Sequence, residues 1–393
     1  MSPATRPTRV FILAGEASGD AHAAGVVRAL RELRPELELK AMGGPRLAAE
    51  GAELVVDSTP LAVVGLTEVL GRLPSLFRAK WALQASIREW RPDVLLAVDY
   101  PDFNLRLTRW ARGLNVPVAY FVSPQVWAWR PGRITGIGRS ISRMLVIFPF
   151  ETAPYSAASI PVEHVGHPLM DEPVTGPTRD EARSALGLSP DVSVIAILPG
   201  SRVSEWKRTW SIMLATCRRL AAERDARFLV PLPPGRQAEE LRSVEDPGDL
   251  PLQFVDDGTH PVLAACDVAL VASGTATLET ALLPRPLVVG YRVSRLTDWL
   301  GSRLIDRDFG AAGRFALPNL VLADDVVPEL YQDDFSPERL ASELGRLLDD
   351  PEARERQLRA LRRLPEKLGG PGTFERVARA CLELADEGSA RSN

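Results

Sequence analysis

Val10-Phe-Ile-Leu-Ala14 runs into Gly15-Glu-Ala-Ser-Gly19-Asp20 and then into the Ala- and Leu-rich stretch Ala21–Leu33. A short apolar run, a turn of small residues and an amphipathic segment read as strand, loop and helix. The unit recurs. Glu38–Met42 leads through Gly43-Gly-Pro45 into a helix over Arg46–Glu50, and Val94–Val98 leads through Asp99-Tyr-Pro-Asp-Phe-Asn104 into a helix over Leu105–Arg112. Val118–Val122 and Met144–Phe148 continue the series. These strands are unbroken apolar runs, not alternating ones, which a parallel sheet covered on both faces requires.

From Asp171 to Pro190 the periodicity gives way to Pro, Gly, Thr and charge, which marks a boundary. A second series follows: Val192–Leu198, the loop Pro199-Gly-Ser-Arg202, and a long helix over Trp206–Arg224. Phe228–Pro231, Val268–Val271 and Leu287–Val289 supply further strands, and Pro337–Leu384 is helical and charged. The fold expected is α/β, with two doubly wound Rossmann-like domains facing across a cleft. Residues 1–180 form the first domain and 181–370 the second; 371–393 form a carboxyl-terminal helix, packing back on the first domain, and a tail frayed from Asp386.

Composition narrows the classes. The chain has 393 residues, 45% hydrophobic and 25% charged, the profile of a globular protein long enough for two cores. A net charge of −4 argues against nucleic acid as a partner. Cys217, Cys266 and Cys381 lie far apart, which fits a reducing compartment. The amino-terminal apolar stretch is too short for a signal peptide, and no run reaches the ~18–20 residues that span a bilayer. A cytoplasmic protein is expected. His22, His164, His167 and His260 form no zinc pattern, and Asp306-Arg-Asp308 is discounted as a metal-holding DxD. No metal and no cofactor is called for.

Ligands of parallel sheets gather at the carboxyl ends of strands, so the loops there are the candidates. Gly15–Asp20 offers a close backbone with Glu16, Ser18 and Asp20, although Asp20 as a helix cap is an equal reading. Asp99 stands where a base would stand, with Asp102 or Asn104 as caps of the next helix. Ser273-Gly274-Thr275 opens a helix whose free N–H groups suit phosphate, and Glu279, one turn on, suits ribose hydroxyls. Arg202 adds a permanent positive charge in the same domain. Phosphate and ribose groups on one side and acids on the other point to group transfer from a nucleoside diphosphate carrier, glycosyl transfer above all. Leu66, Val69, Leu70 and Leu73 fall at helical spacing beside Arg72, Arg78 and Lys80, which fits either a core-facing helix or a face that dips into an anionic leaflet. For Trp127 and Trp129, spacing leaves open a role facing sugar or lipid and one in packing.

AGEASGD (14–20), GGPRLAAEG (43–51), DYPDFN (99–104), SPQVWAWR (123–130), LPGSR (198–202), SGTATLE (273–279), VVGYR (288–292) and LPNLVL (317–322) occur in this order. Together they resemble the lipid-A-disaccharide synthase family, bacterial glycosyltransferases of lipopolysaccharide biosynthesis, over almost the whole chain. The resemblance implies a GT-B fold and an inverting, metal-independent transfer. The donor would be UDP-2,3-diacylglucosamine and the acceptor 2,3-diacylglucosamine 1-phosphate (lipid X), giving a β-1′,6-linked disaccharide 1-phosphate and UDP. By motif, Arg202, Ser273, Gly274, Thr275, Glu279 and Asn319 bind UDP, Asp99 is the base, and Glu16, Ser18 and Asp20 line the catalytic site. The resemblance also implies peripheral attachment to the inner leaflet of the cytoplasmic membrane through Val63, Val64, Leu66, Val69, Leu70, Leu73 and Phe77, and allows a homodimer. The link between Leu304 and Leu317 is longer and more polar than the family's. Other GT-B enzymes acting on UDP-N-acetylglucosamine, a polyprenyl-linked acceptor transferase or a UDP-sugar epimerase, share the Gly/Thr–Glu loop but not the combined set.

Overall fold

The computed structural model describes residues 6–61, 66–124, 133–171, 176–233, 235–256, 258–293 and 314–392, without the side chains of 61, 66–73 and 391–392. The described residues fall into two compact units. One holds those up to Asp171 together with those from Leu368 onward; the other lies between Glu172 and Lys367. The change of unit at Asp171/Glu172 falls at the start of the Asp171–Pro190 stretch.

In the first unit, seven strands run parallel: β1 (Arg9–Ala14), β2 (Glu38–Gly43), β3 (Glu53–Asp57), β4 (Val94–Val98), β5 (Val118–Phe121), β6 (Arg143–Val146) and β7 (Val162–His164). Their spatial order is β3-β2-β1-β4-β5-β6-β7. Val10 to Ala14 and Val94 to Val98 are all fully buried, so every residue of the central pair meets side chains above or below the sheet. The helices α1 (Ala17–Leu33), α2 (Pro45–Ala49), α3 (Leu66–Trp90) and α4 (Pro101–Arg112) return the chain between strands. In the second unit β8 (Ser193–Leu198), β9 (Ala226–Pro231), β10 (Leu252–Val255), β11 (Val268–Ala272), β12 (Leu287–Tyr291) and β13 (Glu329–Tyr331) are parallel in the order β10-β9-β8-β11-β12-β13. Four strands absent from the sequence reading, β3, β7, β10 and β13, are the outermost strands of the two sheets. They are short and partly exposed, so no continuous apolar run announces them.

The helix Thr373–Ser392 belongs to the first unit, where Phe374, Val377, Ala378, Cys381 and Ala385 join the core of β1, β4 and α1. Its start is held by Asp171, whose carboxylate accepts from the Gly372, Thr373 and Phe374 amides at 2.5, 3.0 and 2.7 Å. Arg376 adds hydrogen bonds from its guanidinium to the carbonyls of Val165 and Gly369. The tail expected to fray from Asp386 is helical through Ser392. Asp386 pairs with Arg34 at 2.9 Å, and Arg143 reaches Glu383 at 2.7 Å.

His22 and His167 pack in the same region among aromatic rings. The His22 ring lies 6.3 Å from Phe121 and 6.4 Å from Phe374, and His167 lies 5.2 Å from Phe148. His167 Nδ1 accepts from the Leu169 amide, so that ring serves the turn that follows β7. Burial lowers His22 to about 4, helped by the charge of Arg46, and lowers His167 to about 3, helped by His22. Both are neutral in the folded protein and take up protons on unfolding below their ordinary value of 6.5. Their contribution to stability is complete above pH 6.5 and drains away as the pH falls toward 4. By pH 5 the loss should reach about 2 kcal/mol for each ring. Urea unfolding at pH 7.5 and pH 5 should show it, and His22→Gln should flatten the slope.

Candidate active site

Each sheet reverses its winding once, between β1 and β4 in the first unit and between β8 and β11 in the second. There the following helices pack on opposite faces, and a crevice opens at the carboxyl ends of the two strands. Ala14 pairs with Val98 and Leu198 with Val271, so in each unit the two candidate loops leave neighbouring strands at one level.

In the first unit the loops are Gly15–Asp20 and Asp99–Tyr100. Glu16, Ala17 and Ser18 are exposed, whereas Gly19 and Asp20 are buried. Asp20 caps a helix, though not its own: its carboxylate accepts from the Gly44, Arg46 and Leu47 amides at 2.7, 3.0 and 3.2 Å, closing the start of α2. That use fixes the loop and commits the carboxylate to backbone.

Asp99 and Tyr100 have φ of +47° and +51°, two consecutive side-chain-bearing residues in the left-handed region. Such backbone costs about 1–2 kcal/mol per residue. The Asp99 carbonyl accepts from Asn104 Nδ2 and from the Tyr120 hydroxyl, both at 2.7 Å. Asn104 lies inside α4, fully buried, not at its cap as the sequence suggested; α4 begins at Pro101. Its amide also reaches the carbonyls of Leu13 and Val98, tying together the ends of β1 and β4. The Tyr100 ring lies over Gly15, where any Cβ would collide with it, so only glycine lets the two loops close up. Burial and then the nearby charge of Glu16 raise the Asp99 carboxyl above the ordinary aspartate range. A raised carboxyl with an acid neighbour is the environment of a proton acceptor.

In the second unit Gly274 has φ +153° and ψ −168° and opens the helix Thr275–Leu282, with nothing within 4 Å of where its Cβ would stand. Gly274 and Thr275 are exposed, which leaves the start of that helix open to an anion. Glu279 lies one turn further on. Arg202 follows β8 with its side chain 78% exposed. The amides of Ser201 and Arg202 donate to Glu205 Oε2 at 2.9 and 3.2 Å, and the Arg202 guanidinium lies 3.5 Å from Glu205 Oε1.

Asn319 is 1% exposed. Its Oδ1 accepts from the Val326 and Val327 amides, both at 2.9 Å, and its Nδ2 donates to the Val327 carbonyl and to Glu329. Glu329 in turn accepts from the amides of Phe315 and Ala316, and the Phe315 carbonyl meets Ser273 Oγ at 3.4 Å. All four hydrogen-bonding positions of the Asn319 side chain are thus engaged by protein groups, one step behind the donor loop.

Among the described residues no three His, Cys, Asp or Glu side chains gather as a metal site, and no helix is long and apolar enough to cross a membrane. Asp306, Asp308, Trp127, Trp129, Val63 and Val64 lie outside the described residues, as does most of the 304–317 link. Leu66, Val69, Leu70 and Leu73 fall on α3, with side chains outside the description. Phe77 is 54% exposed, and Trp81, one turn later, 67%. Sequence reasoning passed over Trp81, although its spacing of four from Phe77 was visible. It also passed over Tyr120, which reads as an ordinary core residue of β5.

A family model described as Lipid-A-disaccharide synthetase matches residues 10–373. The lipid-A-disaccharide synthase of Myxococcus xanthus is 44% identical over 386 residues, which is 98% of this chain and 99% of that one. That of Geobacter sulfurreducens is 42% identical over 377 residues, 96% and 97% of the two chains. The chain belongs to the lipid-A-disaccharide synthase family. It is a glycosyltransferase. Among solved structures, UDP-GlcNAc 2-epimerase from Neisseria meningitidis aligns with a TM-score of 0.64 at 13% identity, covering 96% of this chain and 100% of that one. MurG from Acinetobacter baumannii aligns at 0.55 and 13%, covering 96% and 100%. At that identity they speak for the fold alone, a two-domain α/β architecture of GT-B type.

For a synthase of this family, the position of Asn319 leads to a specific expectation. Asn319→Ala removes a buried network and should lower stability by about 3 kcal/mol. Chemical unfolding measured beside UDP titration should show a lost transition midpoint as the primary defect; intact stability with lost UDP affinity would mean direct contact.

Proposed function

We propose that the chain transfers a 2,3-diacylglucosaminyl unit from UDP to the 6-hydroxyl of 2,3-diacylglucosamine 1-phosphate. The observation that carries the reading is the pair of half-sites, one at each winding reversal: a raised acid beside Glu16 in the first unit, and an open helix start beside Arg202 in the second. The reading gives both sets of residues a part in one displacement. The Asp99 carboxylate takes the proton of the 6-hydroxyl as its oxygen bonds to the anomeric carbon. The bond from that carbon to the β-phosphate oxygen breaks, and its electron pair leaves with UDP, inverting the centre. The helix start at Gly274–Thr275 and the Arg202 guanidinium neutralise the charge that develops on UDP. Glu279 holds the ribose hydroxyls, Glu16 keeps Asp99 basic, and Ser18 lines the acceptor side. Asp20 and Asn319 shape the loops that present these groups.

Both substrates carry acyl chains, so the enzyme works at a membrane surface. The family's attachment region leads into α3, where Phe77 and Trp81 stand exposed on one face. Arg78 is exposed next to Phe77, a combination suited to the inner leaflet's anionic lipid. The reading places the protein peripherally on the cytoplasmic membrane.

Asp99→Asn should cut kcat by about 10²–10⁴ while UDP still binds, read by mass-spectrometric detection of the disaccharide from both lipid substrates. Near-normal turnover would remove Asp99 from the role. Because the charge of Glu16 helps to raise Asp99, Glu16→Gln should move the acid limb of the kcat profile to lower pH. Exchanging both Phe77 and Trp81 for Ser should weaken binding to anionic vesicles by about tenfold or more in a flotation assay, with soluble UDP binding unchanged.

A further inference from the structure

Two costly features coincide at the end of β4. The Asp99–Tyr100 peptide is left-handed at both residues, with φ of +47° and +51°. Next to it the fully buried Asn104 leaves its Oδ1 without a donor among the described residues, because its amide nitrogen is turned toward the carbonyls of Leu13, Val98 and Asp99. A fold optimised for stability alone would avoid both. Strain and an orphaned acceptor in one place are what a site keeps when geometry there matters more than stability.

The groups that hold this peptide are specific. The Asp99 amide continues the ladder by donating to the Phe121 carbonyl at 2.9 Å. Its carbonyl is clamped from two directions, by Asn104 Nδ2 on α4 and by the Tyr120 hydroxyl on β5, each at 2.7 Å. Tyr120 is fully buried, and burial followed by the charge of Asp99 keeps its hydroxyl protonated far above neutral pH, so it donates at every working pH. A flip of the 99–100 peptide breaks both hydrogen bonds at once and turns the Asp99 side chain with it.

We propose that Tyr120 and Asn104 are positioning residues of the transfer reaction, which by clamping the Asp99 carbonyl hold the left-handed 99–100 peptide and so aim the Asp99 carboxyl at the acceptor hydroxyl. The proposal rests on Asp99 being the base. It explains why a tyrosine stands in the interior of β5, where phenylalanine would pack as well: among the described residues the hydroxyl bonds to the Asp99 carbonyl, the backbone of the proposed base.

The test is a double-mutant cycle on the full-length enzyme with both lipid substrates, reading UDP release for wild type, Tyr120→Phe, Asp99→Asn and the double variant. Tyr120→Phe should lower kcat by about tenfold, the value of one hydrogen bond, with the KM for the UDP donor unchanged. Its kcat profile should also lose its acid limb toward lower pH, since a released carboxyl turns to solvent. The charged and titratable groups around it are Glu16, Tyr100, Asp102, Tyr155 and Arg133, all of which the variant leaves in place. In the Asp99→Asn background the same exchange should change the residual rate by less than about twofold, because no base is left to aim. A tenfold loss in both backgrounds would overturn the proposal by showing that Tyr120 acts elsewhere, and so would full activity of Tyr120→Phe. Near-normal turnover of Asp99→Asn alone would instead strike at the reading of Asp99, and the proposal would fall with it.

Discussion

A parallel sheet whose helices cover both faces must reverse its winding somewhere, and at that point no connection can cover the strand ends. This protein has two such points, β1/β4 and β8/β11, and almost all of its assigned chemistry lies on the four loops that leave them. The uncovered ends expose main-chain groups that only a ligand or a nearby side chain can satisfy. In the second unit the helix start at Gly274–Thr275 is left open for an anion. In the first unit the ends are closed by Asn104, whose amide gathers the carbonyls of both central strands. One reversal thus leaves a helix start exposed and the other holds an acid in a strained pose.

Several polar side chains in or near the motifs are engaged by the protein's own groups. Asp20 spends its carboxylate on the amides of α2, Glu205 on those of Ser201 and Arg202, and Asn319 on a turn and on Glu329. Asp20 and Glu205 stand beside the exposed Glu16 and Arg202, and Asn319 is linked through Glu329 and Phe315 to the half-buried Ser273. A buried polar side chain next to a site is held to one rotamer by its partners, and that rigidity passes to the exposed neighbour. The motif strings therefore include residues that fix the loops.

Much of this was legible in the sequence. Central strands such as Val94–Val98 announce themselves because burial on both faces demands a continuous apolar run. The outermost strands β3, β7, β10 and β13 were silent because an edge is half solvated and can carry residues such as Glu53, Glu163, Gln253 and Glu329. The loops could be found from small residues after strands, but spacing gives no direction to a side chain. It placed Asn104 in a capping turn although Pro101 starts the helix three residues earlier. The roles of Asp20 and Asn319 depend on amides 24 and 7 or 8 positions away, contacts that no local pattern encodes.

The helix Thr373–Ser392 completes the hydrophobic interior of the unit that contains β1, although the whole of the other unit lies between them in sequence. The intervening unit is continuous from Glu172 to Lys367. During synthesis, then, the order of maturation is inverted: the unit begun first waits, with Val26, Leu30 and Ala23 uncovered, until the other unit and then Thr373–Ser392 have been made. A premature stop shortly before Thr373 would thus spare the nearby half of the polypeptide and leave the distant half exposed to chaperones and proteases.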